Sequence, residues 1–279
     1  MKSIIIIGGD KRQAEMKKIL LSYGFRCRHI NSGDLSSSSL DIKNNDIIIL
    51  PVPVSKDKVN IYSSDNRFLL RLNDVLSKLS ETNLIYGGGF SDAVKLCLKE
   101  KNITYLDYLD CENFALYNSY LTGLGALKLL FENTAENIRN RKVLITGFGK
   151  VGKYTAQILK KMECDVYIAA RNSVQLAEAS CIGYKVLELK NIASYIYIFD
   201  YIFNTVPDNI FSYEDVTHMK GLYFELASTP YGVKKEFFTE KASSYIFGGS
   251  LPGKYLCKSA AELLSDITVK HINPRNEGD

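Results

Sequence analysis

The sequence lacks the clustered side chains that hold metals or carry several common kinds of catalysis. Its six cysteines do not fall at Cys-x-x-Cys or other metal-ligand spacing, and no local pair of histidines accompanies them. It also contains no Gly-x-Ser-x-Gly elbow, no His-Glu-x-x-His motif and no Walker A loop. We therefore expect reduced thiols and no metal site.

Long apolar runs and a large excess of one charge are also absent. The apolar run at residues 4–7 is far too short for a signal-peptide core or a membrane span. A formal net charge of +4 is too mild to indicate a nucleic-acid partner. We predict a cytoplasmic protein that binds neither membranes nor nucleic acids.

Histidine is scarce, with three in 279 residues. A dehydrogenase that acts on an alcohol usually needs a histidine held by a carboxylate. His29, His218 and His271 show no such partner in the sequence. The catalytic group therefore stays unassigned.

Residues 143–173 read as a strand, a glycine-rich turn, a helix and a second strand. The turn has the G-x-G-x-x-G spacing of a dinucleotide-binding unit. In such a unit Gly147 permits the tight turn, Gly149 lets the backbone approach a pyrophosphate, and Gly152 lets the helix pack closely. The alternative is a βαβ unit that uses its glycines only for packing. The residues predicted to bind the cofactor here are Gly147, Phe148, Gly149, Lys150, Val151 and Gly152.

The end of the second strand bears on the choice between NAD and NADP. NAD sites usually place an acidic residue there, whereas this chain has Arg171. With Asn172 and Ser173 it suits a 2′-phosphate, so we favour NADP over NAD; a solvated loop arginine is the alternative. A further predicted contact follows a later strand, where a nicotinamide and its ribose would lie, although a proline-ended loop would also explain it. Its residues are Asn204, Thr205, Val206 and Pro207.

Alternating strands and helices predict an α/β fold of two Rossmann-like, doubly wound parallel-sheet domains joined by a long helix. Residues 1–118 would form an N-terminal substrate domain. Residues 119–257 would form an NAD(P)-binding domain that opens with a linking helix, 119–133. The C-terminal helix and tail, 258–279, would pack back on the first domain. The glycines at 87–89 indicate close backbone approach, because they lack the lysine and hydroxyl of a P-loop.

Several short motifs occur in the order that is seen in one known family. They read Ile-Gly-Gly-Asp-Lys-Arg-Gln at 7–13, Tyr-Asn-Ser at 117–119, Asn-Thr-Val-Pro at 204–207 and Ser-Leu-Pro-Gly-Lys at 250–254. Together with the glycine turn, they resemble the A subunit of dipicolinate synthase over nearly the whole chain.

The resemblance implies an enzyme that oxidises dihydrodipicolinate, or its 4-hydroxy-tetrahydro precursor, to dipicolinate with NADP. It implies a branch of the diaminopimelate and lysine pathway that operates in the mother-cell cytoplasm during sporulation. The flavoprotein-like B subunit of dipicolinate synthase would accompany the chain, which we also expect to form a homo-oligomer. Aromatisation of the ring makes loss of hydride and proton favourable, which relaxes the demand for a histidine base.

The substrate would carry two carboxylates, which need basic or hydrogen-bonding partners. The resemblance places most of the expected contacts near residues 10–13 and 118–122. Lys258, after a turn at 251–253, could neutralise a carboxylate or merely be solvated. The predicted substrate-binding residues are Asp10, Arg12, Gln13, Ser55, Asn118, Ser119, Thr122 and Lys258, and Ala227 joins the cofactor-binding set.

The chain departs from the family pattern at three places. Thr-x-Glu-Gly is replaced by Thr-Gly-Leu-Gly, which puts Leu124 at the glutamate position. Thr229 replaces an arginine, and Ser250 replaces a glycine. The lost glutamate and arginine positions favour one alternative, a catalytically silent subunit that senses NADP or scaffolds a partner. A second alternative is a D-2-hydroxyacid-dehydrogenase-like oxidoreductase, which shares the two-domain plan but usually needs the histidine-carboxylate pair that is missing here.

Overall fold

The computed structural model describes residues 3–31 and 40–273, without the side chains of residues 239–243. The chain divides into two compact units. Met1–Tyr117 and Leu256–Asp279 form the first unit, and Asn118–Tyr255 forms the second. Each unit contains one parallel sheet with helices. This architecture confirms the predicted α/β fold with two parallel-sheet domains.

The first unit contains a five-stranded sheet in the order β2-β1-β3-β4-β5. Every pairing in this sheet is parallel. Its strands are β1 (Ser3–Ile7), β2 (Arg26–Ile30), β3 (Ile47–Ile49), β4 (Leu84–Gly87) and β5 (Thr104–Asp107), and its helices are α1 (Lys11–Ser22), α2 (Leu72–Ser77), α3 (Asp92–Glu100) and α9 (Cys257–Ile272).

The interior strand β1 shows that this sheet is covered on both faces. Its isoleucines are fully buried, and alternate side chains point to opposite sides of a strand. Ile5 and Ile7 belong to one apolar core, whereas Ile4 and Ile6 belong to another. The second core includes residues of α9, which packs against α1. A continuous apolar strand is typical of a sheet with both faces buried.

The second unit contains a six-stranded sheet in the order β11-β10-β9-β6-β7-β8, again wholly parallel. The strand order reverses at β6, which pairs with β7 on one side and β9 on the other. Ligands of such sheets bind beyond the carboxyl ends of the strands at this reversal. Its strands are β6 (Lys142–Thr146), β7 (Asp165–Ala170), β8 (Lys185–Glu188), β9 (Tyr201–Asn204), β10 (Leu222–Glu225) and β11 (Tyr245–Phe247), and its helices are α5 (Lys150–Lys161), α6 (Ser173–Cys181), α7 (Tyr213–His218) and α8 (Leu251–Tyr255).

The long helix α4 (Glu112–Asn133) runs from one unit into the next and begins seven residues before the predicted start at 119. Phe114 explains the earlier start, because it is buried and packs on Tyr108 in the second core of the first unit. The conformation of residues 251–253 also differs from the prediction of a turn, because they form the first residues of helix α8.

The two glycines of α4 lie at close contacts between helices. A Cβ on Gly123 would lie 2.9 Å from the side chain of Ile158 and 3.2 Å from the backbone of Thr155. A Cβ on Gly125 would lie 2.7 Å from that of Leu251. Both positions therefore favour glycine because α4 packs closely against α5 and α8. No helix within the described residues is long and apolar enough to cross a membrane.

Candidate functional site

The glycine-rich turn lies where β6 ends, at the reversal of the strand order. Gly147 has φ +85°, a conformation that side chains disfavour. A Cβ on Gly149 would meet nothing within 4 Å, so its backbone is open to a ligand. A Cβ on Gly152 would overlap the carbonyl oxygen of Gly147. The three glycines thus show the three distinct geometries that a dinucleotide turn requires.

Helix α5 begins directly at this turn. Its N-cap is Gly149, which supplies no side-chain cap. The first N–H groups of a helix have no partner within it and carry partial positive charge, so they form an anion site. Lys150 is exposed in the first turn, and Val151 is half-buried. Phe148 is buried and packs edge-on against Tyr184, so that only its backbone faces the turn.

Arg171 follows β7 and forms an ion pair with Asp208, with 2.6 Å between Nη2 and Oδ2. Both side chains are half or more exposed. Asn172 is the N-cap of α6, and its side-chain oxygen accepts a hydrogen bond from the N–H of Val174 at 2.8 Å. Ser173 is the first residue of that helix. Of these three predicted residues, Arg171 therefore has the side chain best placed to reach a ligand.

Asn204 lies at the end of β9 and is fully buried. Its Oδ1 accepts hydrogen bonds from Thr146 Oγ1 at 2.6 Å and from the N–H of Val206 at 3.1 Å. Its Nδ2 donates to the carbonyl of Val206 at 3.0 Å and to Glu225 Oε1 at 2.7 Å. These four bonds fill the capacity of the amide. Its side chain thus organises the site and has nothing left for a ligand.

The segment after Asn204 passes the glycine turn. Thr205 donates to the carbonyl of Thr146 at 2.7 Å. Its hydroxyl and the side chain of Val206 are the nearest neighbours of Gly147. Pro207 is exposed and precedes Asp208, the partner of Arg171. The segment 205–208 therefore crosses the carboxyl end of β6 from the β9 side to the β7 side.

Glu225 is absent from the residues that the sequence predicts for the site. It ends β10, is fully buried, and accepts the N–H of Ala227 at 3.1 Å as well as the amide of Asn204. Burial raises the pKa of this carboxyl, and its hydrogen bonds only partly offset that effect. The sequence did contain a signal for Glu225. It is a charged residue at the end of an otherwise apolar strand, and this end of a parallel sheet is where ligands bind.

Three of the predicted substrate residues, Asp10, Arg12 and Gln13, form a closed group at the start of α1. Arg12 is 4% exposed; its Nη2 lies 2.8 Å from Asp10 Oδ2 and 2.6 Å from the carbonyl oxygen of Val52. Gln13 accepts the N–H of Asp10 at 2.8 Å and completes a capping box. Burial raises the pKa of Asp10, but the hydrogen bonds and charge of Arg12 outweigh it and lower that pKa.

The other predicted substrate residues are distant from this group in the sequence and make hydrogen bonds to different residues. Ser55 donates to Asp57 at 3.0 Å. Lys258 is exposed in the first turn of α9. On α4, Thr122 donates to the carbonyl of Asn118 at 2.8 Å, and Ser119 is buried. The α4 residues belong to the second unit, whereas Ser55 and Lys258 belong to the first.

The glycines at 87–89 have a structural role. A Cβ on Gly87 would lie 2.6 Å from the side chain of Val54, and one on Gly88 would lie equally close to Val52. Asp107 accepts the N–H of Gly89 at 2.8 Å and fixes the turn. Neighbouring side chains therefore approach the backbone closely at Gly87 and Gly88, as predicted, whereas a Cβ on Gly89 would make only an ordinary contact.

None of the histidines has a carboxylate partner among the described contacts. His29 pairs with the carbonyl of Gly8, His218 with the carbonyl of Glu214, and His271 with the hydroxyl of Tyr86. Nor do the described residues contain a group of three side chains suited to a metal ion. Histidine-carboxylate catalysis therefore has no support in these contacts.

Two family models match separate parts of the chain. Residues 3–109 match the family described as the N-terminal domain of the dipicolinate synthase A subunit. Residues 129–223 match the family described as S-adenosyl-L-homocysteine hydrolase, NAD binding domain. The second match covers the glycine turn and most of the second sheet.

Similarity to individual proteins extends further. The dipicolinate synthase A subunit of Bacillus subtilis (strain 168) is 24% identical to this chain over an aligned length of 281 residues, gaps included. The alignment covers 96% of this chain and 94% of that protein. The crystal structure of the dipicolinate synthase A subunit from Bacillus halodurans has a TM-score of 0.80 at 24% identity, with 98% of each chain covered.

More distant structures share the same fold. The apo-structure of D-lactate dehydrogenase from Escherichia coli has a TM-score of 0.70 at 12% identity and covers 100% of this chain and 98% of its own. That likeness extends to the fold alone. The first family match covers residues 3–109, and the similarity to the Bacillus subtilis protein extends over nearly the whole chain, so this chain resembles the dipicolinate synthase A subunit in sequence and in fold.

Proposed function

We propose that this chain is the nicotinamide-dependent oxidoreductase subunit of a dipicolinate synthase. It oxidises dihydrodipicolinate, or its 4-hydroxy-tetrahydro precursor, to dipicolinate, as the mother cell needs during sporulation. The second unit binds the cofactor, and the first serves as the substrate domain. The observation that carries the proposal is the glycine turn with its uncapped helix, at the strand reversal of a chain that resembles this subunit throughout.

The cofactor's pyrophosphate is assigned to the turn between β6 and α5. Gly149 leaves room for the phosphates, and the first N–H groups of α5 offer partial positive charge. Lys150 adds a full positive charge at the same helix end. A nicotinamide bound there would accept the hydride, and the residues at the carboxyl ends of the second unit's strands would bind and orient it.

NADP is favoured over NAD because of Arg171. It stands at the end of β7, where NAD sites usually carry an acidic residue. Its guanidinium matches the geometry of a phosphate, and its present partner, Asp208, is exposed. Exposed ion pairs are weak, so a 2′-phosphate can displace this one.

A dicarboxylate substrate is supported by the basic residues of the first unit, with one refinement. The guanidinium of Arg12 is already engaged by Asp10 and the carbonyl of Val52. We assign this pair the task of shaping the start of α1, with Lys258 as the accessible cation. Aromatisation of the ring reduces the work required of a protein base, which agrees with the engaged histidines.

The test uses the purified chain with NADP and freshly generated substrate, with and without the separately purified, flavoprotein-like B subunit. Reduced cofactor is followed by absorbance, and dipicolinate by chromatography. The expected result is formation of both products in equal amounts. Product formation only with the B subunit would show that the two proteins divide the work.

A second candidate is a silent subunit that binds NADP and scaffolds a partner. It is favoured by Leu124 at the family's glutamate position and by the engaged state of Arg12. NADP binding without turnover, alone and with the B subunit, would establish it. A D-2-hydroxyacid dehydrogenase shares the fold, but the described histidine contacts lack the carboxylate pairing on which such chemistry depends.

A further inference from the structure

The carboxylate of Glu225 is the centre of a buried hydrogen-bond network in the second unit. Oε1 accepts from the amide of Asn204 at 2.7 Å and from the N–H of Ala227 at 3.1 Å. Oε2 accepts from the hydroxyl of Tyr223 at 2.8 Å and from the N–H of Gly232 at 2.9 Å. All four donors are neutral groups, and Glu225 is 0% exposed.

The network joins three neighbouring strands at their carboxyl ends. Asn204 ends β9 and also accepts a hydrogen bond from Thr146 at the end of β6. Glu225 ends β10 and binds both ends of the segment 227–232 that follows. The carboxylate thereby fastens this segment to β9 and, through Asn204, to β6.

The position of the network relative to the glycine turn indicates which part of the cofactor it serves. The pyrophosphate is assigned to β6, and Arg171, at the end of β7, marks the adenosine side. A dinucleotide lies across the strand reversal, so the nicotinamide extends the other way, over β9 and β10. The segment 227–232 follows β10 on that side.

We propose that Glu225 is a positioning residue for the nicotinamide end of the cofactor. It holds the segment 227–232 against β9 in the arrangement that receives the ring. This inference rests on the proposed function, since it requires that the second unit binds a nicotinamide dinucleotide.

The network needs a carboxylate specifically. A glutamine would replace one oxygen with an NH₂ group. Each oxygen of Glu225 has one backbone N–H as donor, from Ala227 or Gly232, and a backbone N–H cannot turn to accept. Either orientation of the amide therefore sets one N–H against another and displaces one end of the segment. Gly232 lies close to the network, because a Cβ there would lie 2.6 Å from the hydroxyl of Tyr223.

The experiment compares two ligands on the intact chain by calorimetry. NADPH is the complete cofactor, and 2′-phospho-ADP-ribose is the same molecule without the nicotinamide. Glu225→Gln should weaken the binding of NADPH by about tenfold, as expected for one unsatisfied buried donor. It should weaken the binding of 2′-phospho-ADP-ribose by less than about twofold. Glu132→Gln, at an exposed glutamate of the same unit, should change neither affinity.

Equal weakening of both ligands would overturn the inference, because it would show a general structural role. Unchanged NADPH affinity would overturn it as well. If Glu225→Gln does not fold, Tyr223→Phe withdraws one donor with little change in shape and must show the same selective loss at about threefold. Wild-type protein that binds neither ligand would refute the proposed function, and the inference with it.

Discussion

Replacing Arg171 with alanine should weaken NADP binding and leave NAD binding nearly unchanged. In the structure the guanidinium of Arg171 lies 2.6 Å from Asp208, and the two side chains are 60% and 50% exposed. A 2′-phosphate must take the place of Asp208. An exposed ion pair of this kind contributes about 0–1 kcal/mol, so its loss costs little.

The size of the effect follows from the difference between two interactions. A hydrogen bond between a guanidinium and a phosphate is worth about 1.5–3 kcal/mol. Subtracting the ion pair to Asp208 leaves about 0.5–3 kcal/mol, which corresponds to an increase in Kd of about two- to 150-fold. NAD has no phosphate at this position, so the Kd for NAD should change by less than about twofold.

Asp208 supplies a prediction of opposite sign. Asp208→Asn removes both the competitor for Arg171 and a negative charge near the phosphate. NADP affinity should rise by about two- to fivefold. Fluorescence titration of NADPH and NADH at fixed ionic strength measures both variants. The preference should shrink in high salt, because exposed charges are screened.

Arg139→Ala is the matched control for these variants. Arg139 forms an equally exposed ion pair with Glu163, at 2.7 Å, and precedes β6 at the end opposite the glycine turn. Its removal should alter neither affinity. If Arg171→Ala lowered the affinities for NADPH and NADH equally, or if Asp208→Asn changed neither, the assignment of a 2′-phosphate to Arg171 would be wrong.

Four further predictions concern other parts of the two units. Gly149→Ala should leave thermal stability unchanged, because its Cβ meets nothing, yet weaken dinucleotide binding at least tenfold, whereas Gly152→Ala should lower both. Arg12→Ala should reduce the free energy of unfolding by about 3–5 kcal/mol, because it leaves the carboxylate of Asp10 buried and unpaired. The folded-state pKa of Asp10 lies below 3.8. The stability that its ionised carboxylate contributes is therefore fully present above pH 3.8 and is lost as the pH falls through the folded pKa. Acid unfolding of Asp10→Asn should lack this loss of stability. Ser250→Gly should raise the melting temperature slightly, because Ser250 has φ 56°, which glycine adopts without strain. Relief of that strain is worth about 1 kcal/mol, and the greater entropy of the unfolded chain with glycine offsets part of it.

Local patterns in the sequence were sufficient to predict most of the fold. A run such as Ile4–Ile7 specifies a strand covered on both faces, because each side chain needs an apolar neighbour whichever way it points. The spacing of Gly147, Gly149 and Gly152 specifies a turn, because all three glycines lie within six residues and a Cβ on Gly152 would meet the carbonyl of Gly147. Such patterns are written in short stretches of the chain, so they can be read before the fold is known.

The candidate site was less predictable because its bonds join distant residues. Arg12 resembles a substrate cation in the sequence, but its Nη2 donates to the carbonyl of Val52, forty residues away. Arg171 meets Asp208, which is 37 residues further on. In both cases a charged side chain that suits a ligand has a protein partner, and only the fold decides which partner it meets.

The cost of burying Glu225 bears on whether the chain turns over substrate or only holds a cofactor. A buried carboxylate loses several kcal/mol of hydration, and a well-packed apolar side chain would often give a more stable protein. A protein that only sensed NADP would need the glycine turn and Arg171, both of which act on phosphates. The carboxylate of Glu225 lies on the β9 and β10 side of the sheet and reaches the glycine turn only indirectly, through Asn204. An ordered nicotinamide matters for hydride transfer, so a costly network at that end favours the catalytic proposal over the silent one.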